Sequence, residues 1–165
     1  MKTLLILRHA KTQSDVPAGD HVRELTERGH HNAAAMGAYI HNLIGTPDAI
    51  VTSDATRARQ TAEIVASAVD FAAPLTVEPQ IYAADPDTLL AVVRRIPDGV
   101  QTVIIVGHNP GFEELAAALA GNAEHEVRLP TSGLALLEFD VEGWDAVRAG
   151  AGRLREIATP RAIAG

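Results

Sequence analysis

The sequence predicts an α/β fold built round a parallel sheet, and three observations carry that prediction. Leu4-Leu5-Ile6-Leu7 is a continuous apolar run that stops at Arg8-His9. Val103-Ile104-Ile105-Val106 repeats the arrangement and ends at Gly107-His108. Other stretches carry apolar residues at helical spacing. Strands buried on both faces read as such unbroken runs, and the helices that connect parallel strands cover those faces. In open sheets of this kind ligands bind beyond the carboxyl ends of the strands, where both histidines fall.

In chain order, strand one covers the run up to Arg8, and a polar, turn-rich loop follows from Thr12 to Asp20. Thr26 is a plausible N-cap for a helix through Ala33, Met36, Ile40 and Leu43, which Gly45 and Pro47 end. His30, His31 and His41 lie on or beside it; adjacent helical residues point apart, so they read as solvated side chains rather than a metal site. Ala49–Thr52 forms a second strand. Ser53 or Asp54 can cap the next helix, which begins around Ala55 and carries Arg57, Arg59, Thr61, Ile64, Val65 and Ala68. Leu75-Thr76-Val77 reads as a short third strand ended by Pro79. Asp85-Pro86 is an N-cap followed by proline at the first helical position, opening a helix through Leu89, Leu90, Val92, Val93 and Ile96. Thr102–Val106 is the strongest strand signal, and a helix through Leu115 to Leu119 follows it. The last third reads as strands at His125–Leu129, Leu134–Phe139 and Arg153–Ala158. Turns fall at Pro130–Gly133 and around Gly143-Trp144, and the tail from Thr159 is expected to fray.

Bulk properties narrow the function. With 165 residues, 47% of them hydrophobic, the chain suits one domain over 1–165 with a single core. Aromatics make up only 4%, so Ala, Leu, Ile and Val must fill it. A formal charge of −7 argues against nucleic-acid or anionic-membrane partners, which require excess Lys and Arg. The absence of cysteine excludes disulfides, a thiolate nucleophile and a Cys-based zinc site, and permits the expected cytoplasmic location. No run approaches the roughly 18 apolar residues of a membrane span. The apolar part of the N-terminus is too short for a signal peptide and no small-residue cleavage site follows, so the mature chain is expected to start at Met1.

Three strand ends thus present chemistry: Arg8-His9, Gly107-His108, and a strand leading to a helix whose first turn holds Arg57. If the strands are parallel neighbours, these side chains converge on one crevice. Phosphoryl transfer suits that set. Two arginines bind phosphate oxygens in forked geometry and keep their charge. A neutral histidine attacks phosphorus and splits one displacement into two. A second histidine, if protonated, stabilises the equatorial oxygens during transfer, and backbone N–H groups near Asn109 add donors. No metal or other cofactor is required.

Four blocks then carry a resemblance. Leu7-Arg8-His9-Ala10-Lys11, Arg23-Glu24-Leu25-Thr26-Glu27-Arg28-Gly29, the run Ser53–Ala62 with Arg57 as its fifth residue, and Val106-Gly107-His108-Asn109-Pro110 stand in one order along most of the chain. Together they resemble the histidine phosphatase superfamily, and within it the small SixA-type phosphohistidine phosphatases. The resemblance implies a phosphoglycerate-mutase-like three-layer sandwich, with a mostly parallel central sheet flanked by helices. It implies that His9 is the phosphorylated nucleophile and that Arg8, Arg57 and His108 complete the phosphate pocket. Ser132-Gly133 falls where the small branch has a pocket-wall turn. Arg59, two residues along the helix from Arg57, should point elsewhere.

Many members of the superfamily use a glutamate as proton donor between the second block and the second histidine. Here Glu78 is the candidate and is not clearly positioned, while Asp15, Tyr82 or Asp85 could also fold into the site. Imidazole leaving phosphohistidine depends less on a strong acid than an alkoxide does. The short chain leaves little to build a lid. The expected substrate is therefore a phosphohistidine-bearing protein, of the histidine-containing phosphotransfer type, with inorganic phosphate as product and the enzyme a monomer. The alternatives are a phosphomonoesterase or mutase acting on a small metabolite or phospho-Ser/Thr, and a non-catalytic phosphohistidine-binding module, for which a nucleophile would be superfluous.

Overall fold

The central strand is β1 (Lys2–Arg8), and its side chains alternate between two separate cores. Leu4 and Ile6 face one layer of helices; Leu5 and Leu7 face the other. In β4 (Thr102–Gly107), Val103 and Ile105 join the first core, and Ile104 and Val106 the second. Period-two alternation with both faces apolar is why these strands read as unbroken hydrophobic runs. The computed structural model describes residues 1–121 and 126–164.

Strand β2 (Ala49–Thr52), β3 (Thr76–Val77), β5 (Leu134–Phe139) and β6 (Gly152–Ala158) complete one six-stranded sheet in the order β3-β2-β4-β1-β5-β6. The pairings β3-β2, β2-β4 and β4-β1 are parallel, whereas β1-β5 and β5-β6 are antiparallel. Helices α1 (Glu27–Ile44) and α2 (Thr56–Ala68) cover one face. Helices α3 (Pro86–Arg94) and α4 (Gly111–Ala120) cover the other. This is the expected three-layer sandwich with a mostly parallel sheet. No helix among the described residues is long and apolar enough to cross a membrane.

Helices α1 and α3 start at the caps the sequence supplies. The Thr26 hydroxyl accepts from Gly29 N–H at 3.0 Å, and the Asp85 carboxylate accepts from Thr88 N–H at 2.8 Å. In α1 the buried face comprises Gly29, Ala33, Met36, Gly37 and Ile40, while Leu43 is exposed. A Cβ on Gly37 would lie 2.6 Å from that of Ala68, so glycine sets the close approach of α1 to α2.

Four expectations are corrected. Helix α2 is capped by Ala55, not by Ser53 or Asp54; the Ser53 hydroxyl does accept the Ala55 N–H at 3.2 Å, but from two residues ahead of the cap position. The third strand is only Thr76–Val77, at the exposed sheet edge. Residues 126–129 form no strand, and His125 lies outside the described residues. Val127 and Leu129 are buried between exposed Glu126 and Arg128, so the alternation that suggests a strand is real, but side chains take the place of a ladder partner. Leu129 N–H donates to the Glu113 carboxylate at 2.6 Å, and the Leu129 carbonyl accepts from side chains of the site. Finally, the tail does not fray at Thr159: Pro160–Ala164 forms a short helix, α5, with Ile163 packed on the core beneath α1.

Candidate active site

Strand register brings the three predicted ends together. Arg8 pairs with Gly107 and Thr52 with Val106 across parallel strands. Beyond the ladders, His9 N–H donates to the Gly107 carbonyl and Ser53 N–H to the Val106 carbonyl, both at 3.0 Å. The His9 and His108 rings consequently sit with centroids 5.3 Å apart.

His9 is 6% exposed. Its Nδ1 lies 2.8 Å from the Ala10 carbonyl, an acceptor only, so Nδ1 carries the proton and Nε2 keeps its lone pair. Burial, with Arg57, Arg8 and Arg23 nearby, pushes the imidazole pKa down to about 4. The ring is therefore neutral at physiological pH, the state a nucleophile needs.

His108 is held differently. Its Nε2 lies 2.8 Å from the Ser53 hydroxyl, which also accepts the Ala55 N–H. If the hydroxyl donates its proton to Nε2, the imidazole proton sits on Nδ1. Among the described residues, Nδ1 is buried with no partner. Burial, together with His9 and Arg57, lowers the His108 pKa to about 3. In the free protein His108 is thus a neutral donor rather than an imidazolium.

The arginines bring buried donors. Arg57 is 5% exposed, in the first turn of α2, whereas Arg59 is exposed, as helix geometry requires for positions two apart. Arg8 Nη1 donates to the Leu129 carbonyl at 3.1 Å. Among the described residues the Nε atoms of Arg8 and Arg57 are buried without partners, as is the Ser132 hydroxyl. Ser132 stands at φ 59°, a left-handed conformation rare outside glycine, and its N–H donates to the His9 carbonyl at 2.9 Å. Buried, unpaired donors around a neutral histidine form a cradle that an anion completes.

Asn109 Nδ2 is committed to the Leu129 carbonyl at 2.8 Å, so that carbonyl braces both Asn109 and Arg8. Glu78 does not join the cluster. Its carboxylate stands 3.9 Å from Arg95 and lines a separate small cavity beside Ala49 and Val51. Tyr82 and Asp85 do line the cleft, of about 450 Å³, with Arg57, His108, Asn109 and Glu114; Asp15 does not.

Asp20 and Thr61 take roles in the site that the sequence does not announce. Asp20, from the loop after β1, accepts from Arg57 Nη2 at 3.0 Å and from the Tyr82 hydroxyl at 2.6 Å, with Arg23 3.1 Å away. Tyr82 foremost, and then Arg57, hold its pKa down at about 2. The Thr61 hydroxyl accepts Ala10 N–H at 2.9 Å and donates to the Arg57 carbonyl at 2.8 Å, tying the nucleophile loop to α2. The Arg23–Gly29 block is a buttress: Thr26 N–H donates to the Lys11 carbonyl, and a Cβ on Gly29 would lie 2.1 Å from that oxygen. Thr61 lies one helical turn past Arg57 and Gly29 ends a recognised block; nothing local to Asp20 marks it.

The histidine phosphatase superfamily (branch 1) profile matches residues 4–82. The uncharacterised protein Rv1276c of Mycobacterium tuberculosis is 34% identical over 164 residues, covering 94% of this chain and 100% of that one. The structure bearing the name phosphohistidine phosphatase SixA from Nakamurella multipartitia superposes with a TM-score of 0.83 at 27% identity, covering 96% of both chains. One of the same name from Agrobacterium tumefaciens gives 0.81 at 29%, over 96% of this chain and 98% of that one. This chain belongs to the histidine phosphatase superfamily. Its structure is like those of SixA-type proteins.

Proposed function

We propose that the protein is a phosphohistidine phosphatase, which removes the phosphoryl group from a histidine of another protein through a covalent phospho-His9 intermediate. The observation that carries the reading is the pairing of a neutral, buried His9, its Nε2 lone pair free, with an acid that has no proton to give. Asp20, the carboxylate hydrogen-bonded to Arg57, is ionised with a pKa of about 2. A phosphate ester releases an alkoxide and needs an acid; phosphohistidine can be protonated by solvent on its second ring nitrogen and leaves as neutral imidazole.

In the first step the His9 Nε2 lone pair forms a P–N bond as the substrate's P–N bond breaks, and the leaving imidazole keeps that electron pair. Arg8, Arg57 and the His108 Nδ1–H bind the oxygens, and the Ser132 hydroxyl adds a neutral donor. In the second step water attacks phospho-His9, Nε2 recovers its lone pair, and inorganic phosphate departs. The absence of cysteine suits the reducing cytoplasm in which this reading locates a monomeric enzyme. The names carried by the SixA-type structures support the same substrate class.

A phosphomonoesterase is the second reading, favoured by the acidic side chains of Asp85 and Glu114 on the cleft. The test is a substrate panel on wild type and His9→Ala. The wild type is expected to dephosphorylate a histidine-phosphorylated phosphotransfer domain and to act on esters at least about 100-fold more slowly, the usual minimum for a missing general acid. His9→Ala should be inactive on both. Ester hydrolysis with phosphohistidine left intact overturns the proposal.

A further inference from the structure

A second cavity, of about 350 Å³, lies next to the phosphate pocket and is lined by Lys11, Arg28, Asn32, Thr131, Thr159 and Arg161 among others. Among the described residues no carboxylate lines it, in a chain whose formal charge is −7. Lys11, Arg28 and Arg161 are all exposed, and among the described residues none of them has an ion-pair partner. Three unneutralised cations round one hollow leave a local positive field on a negative molecule.

The cavity is joined to the catalytic residues through the chain. Lys11 follows His9 by two residues, and Thr131 precedes Ser132, whose N–H holds the His9 carbonyl. Its frame is rigid. Lys11 and Arg28 are tied by the hydrogen bond of Thr26 N–H to the Lys11 carbonyl and by the tight seat of Gly29 on that same oxygen. Arg161 is carried by α5, which Ile163 anchors to the core and Thr159 caps through Ala162 N–H at 3.1 Å. Asn32 and Pro160 also line a further cavity of about 280 Å³, bounded by Ala35, Ala38 and Ile163. The surface therefore runs from a cationic end, which holds Lys11 and Thr131, to a more apolar end between α1 and α5.

We propose that this groove docks an acidic, amphipathic segment of the phosphorylated protein beside its phosphohistidine; the inference rests on the phosphohistidine reading of the site. The cations are spread over α1, α5 and the loop after β1 instead of converging in a buried fork. That arrangement matches several carboxylates along a chain better than one small anion. Such docking raises the encounter rate and the affinity for the protein substrate, and leaves the chemistry at His9 unchanged.

The test compares Arg28→Glu/Arg161→Glu with wild type on two substrates, an acidic phosphotransfer domain phosphorylated on histidine and free phosphohistidine. The double variant is expected to lose about tenfold or more in kcat/KM on the protein, mostly through KM, and to stay within about twofold on free phosphohistidine. Added salt should slow the wild type on the protein but hardly affect the variant. An unchanged rate on the protein, or an equal loss on both substrates, overturns the inference. A glutamate-rich peptide titrated into wild type and followed by amide NMR judges the groove separately. Shifts at Lys11, Arg28, Thr131 and Arg161 support docking even if no phosphohistidine is turned over, an outcome that would sink the substrate reading alone. No shift there overturns docking whatever the enzyme's activity.

Discussion

Asp20 grips the Arg57 guanidinium at two atoms: its carbonyl accepts from Nη1 at 2.7 Å and its carboxylate from Nη2 at 3.0 Å. A phosphoryl group that engages the same fork competes with that carboxylate, an internal anion for an external one. Asp20 is half exposed, so the pair is worth at most about 1 kcal/mol. Asp20→Asn keeps the shape and removes the charge. Isothermal titration should show inorganic phosphate bound about three- to fivefold more tightly by the variant. Weaker binding would mean that Asp20 orients Arg57 instead of competing for it.

Arg57 and Arg59 lie two residues apart on α2 with opposite surroundings, one buried and one exposed. Removing a buried charge-assisted donor typically costs about 2–5 kcal/mol, so Arg57→Ala should weaken phosphate binding by about thirtyfold or more. Arg59→Ala, an exposed change, should leave it within about twofold. Equal effects on the two phosphate dissociation constants would contradict the assignment.

These two arginines also mark what could be read ahead of the structure. Arg8, His9, Arg57 and His108 each stand where a strand ends or a helix begins, so local hydrophobic pattern and parallel pairing suffice to bring them together. Asp20 and Leu129 reach the site across 37 and 121 positions, to Arg57 and Arg8, from a loop and through a backbone carbonyl, and Tyr82, one of several candidates in the sequence, reaches Asp20 across 62. No periodicity encodes such contacts. The misread strand ending at Leu129 has the same origin, since the alternation of buried and exposed residues fixes which side chains go inside but not what pairs with the backbone.

Ser132 keeps a left-handed backbone with its hydroxyl buried and unpaired beside His9. Holding a non-glycine residue there costs about 1 kcal/mol or more, a strain that the site retains. Ser132→Gly should therefore stabilise the free protein by about 1 kcal/mol in denaturant melts while weakening phosphate binding. A variant that is less stable than wild type would show that the hydroxyl is a structural group.

The two histidines set a pH dependence. Their folded pKa values, about 4 for His9 and about 3 for His108, lie below the ordinary 6.5 because burial disfavours the charged ring. Below pH 6.5 the unfolded chain takes up protons that the folded chain refuses, so stability declines as pH falls from about 6.5 through 4 to 3. Saturating phosphate favours the charged rings and should soften that decline. Ring-carbon NMR titration tests the assignment directly: midpoints near 6.5 would mean that neither ring is held neutral by the fold.

The central claim is that the phosphoryl group passes through His9. The most direct measurement is rapid quench of wild-type protein with a ³²P-phosphohistidine phosphotransfer domain, under alkaline conditions that preserve phosphohistidine, followed by peptide mapping. The label is expected on the peptide containing His9 at early times, decaying as inorganic phosphate appears, and absent from His9→Ala. Label that persists in His9→Ala, or phosphate release by that variant at the wild-type rate, would contradict the account.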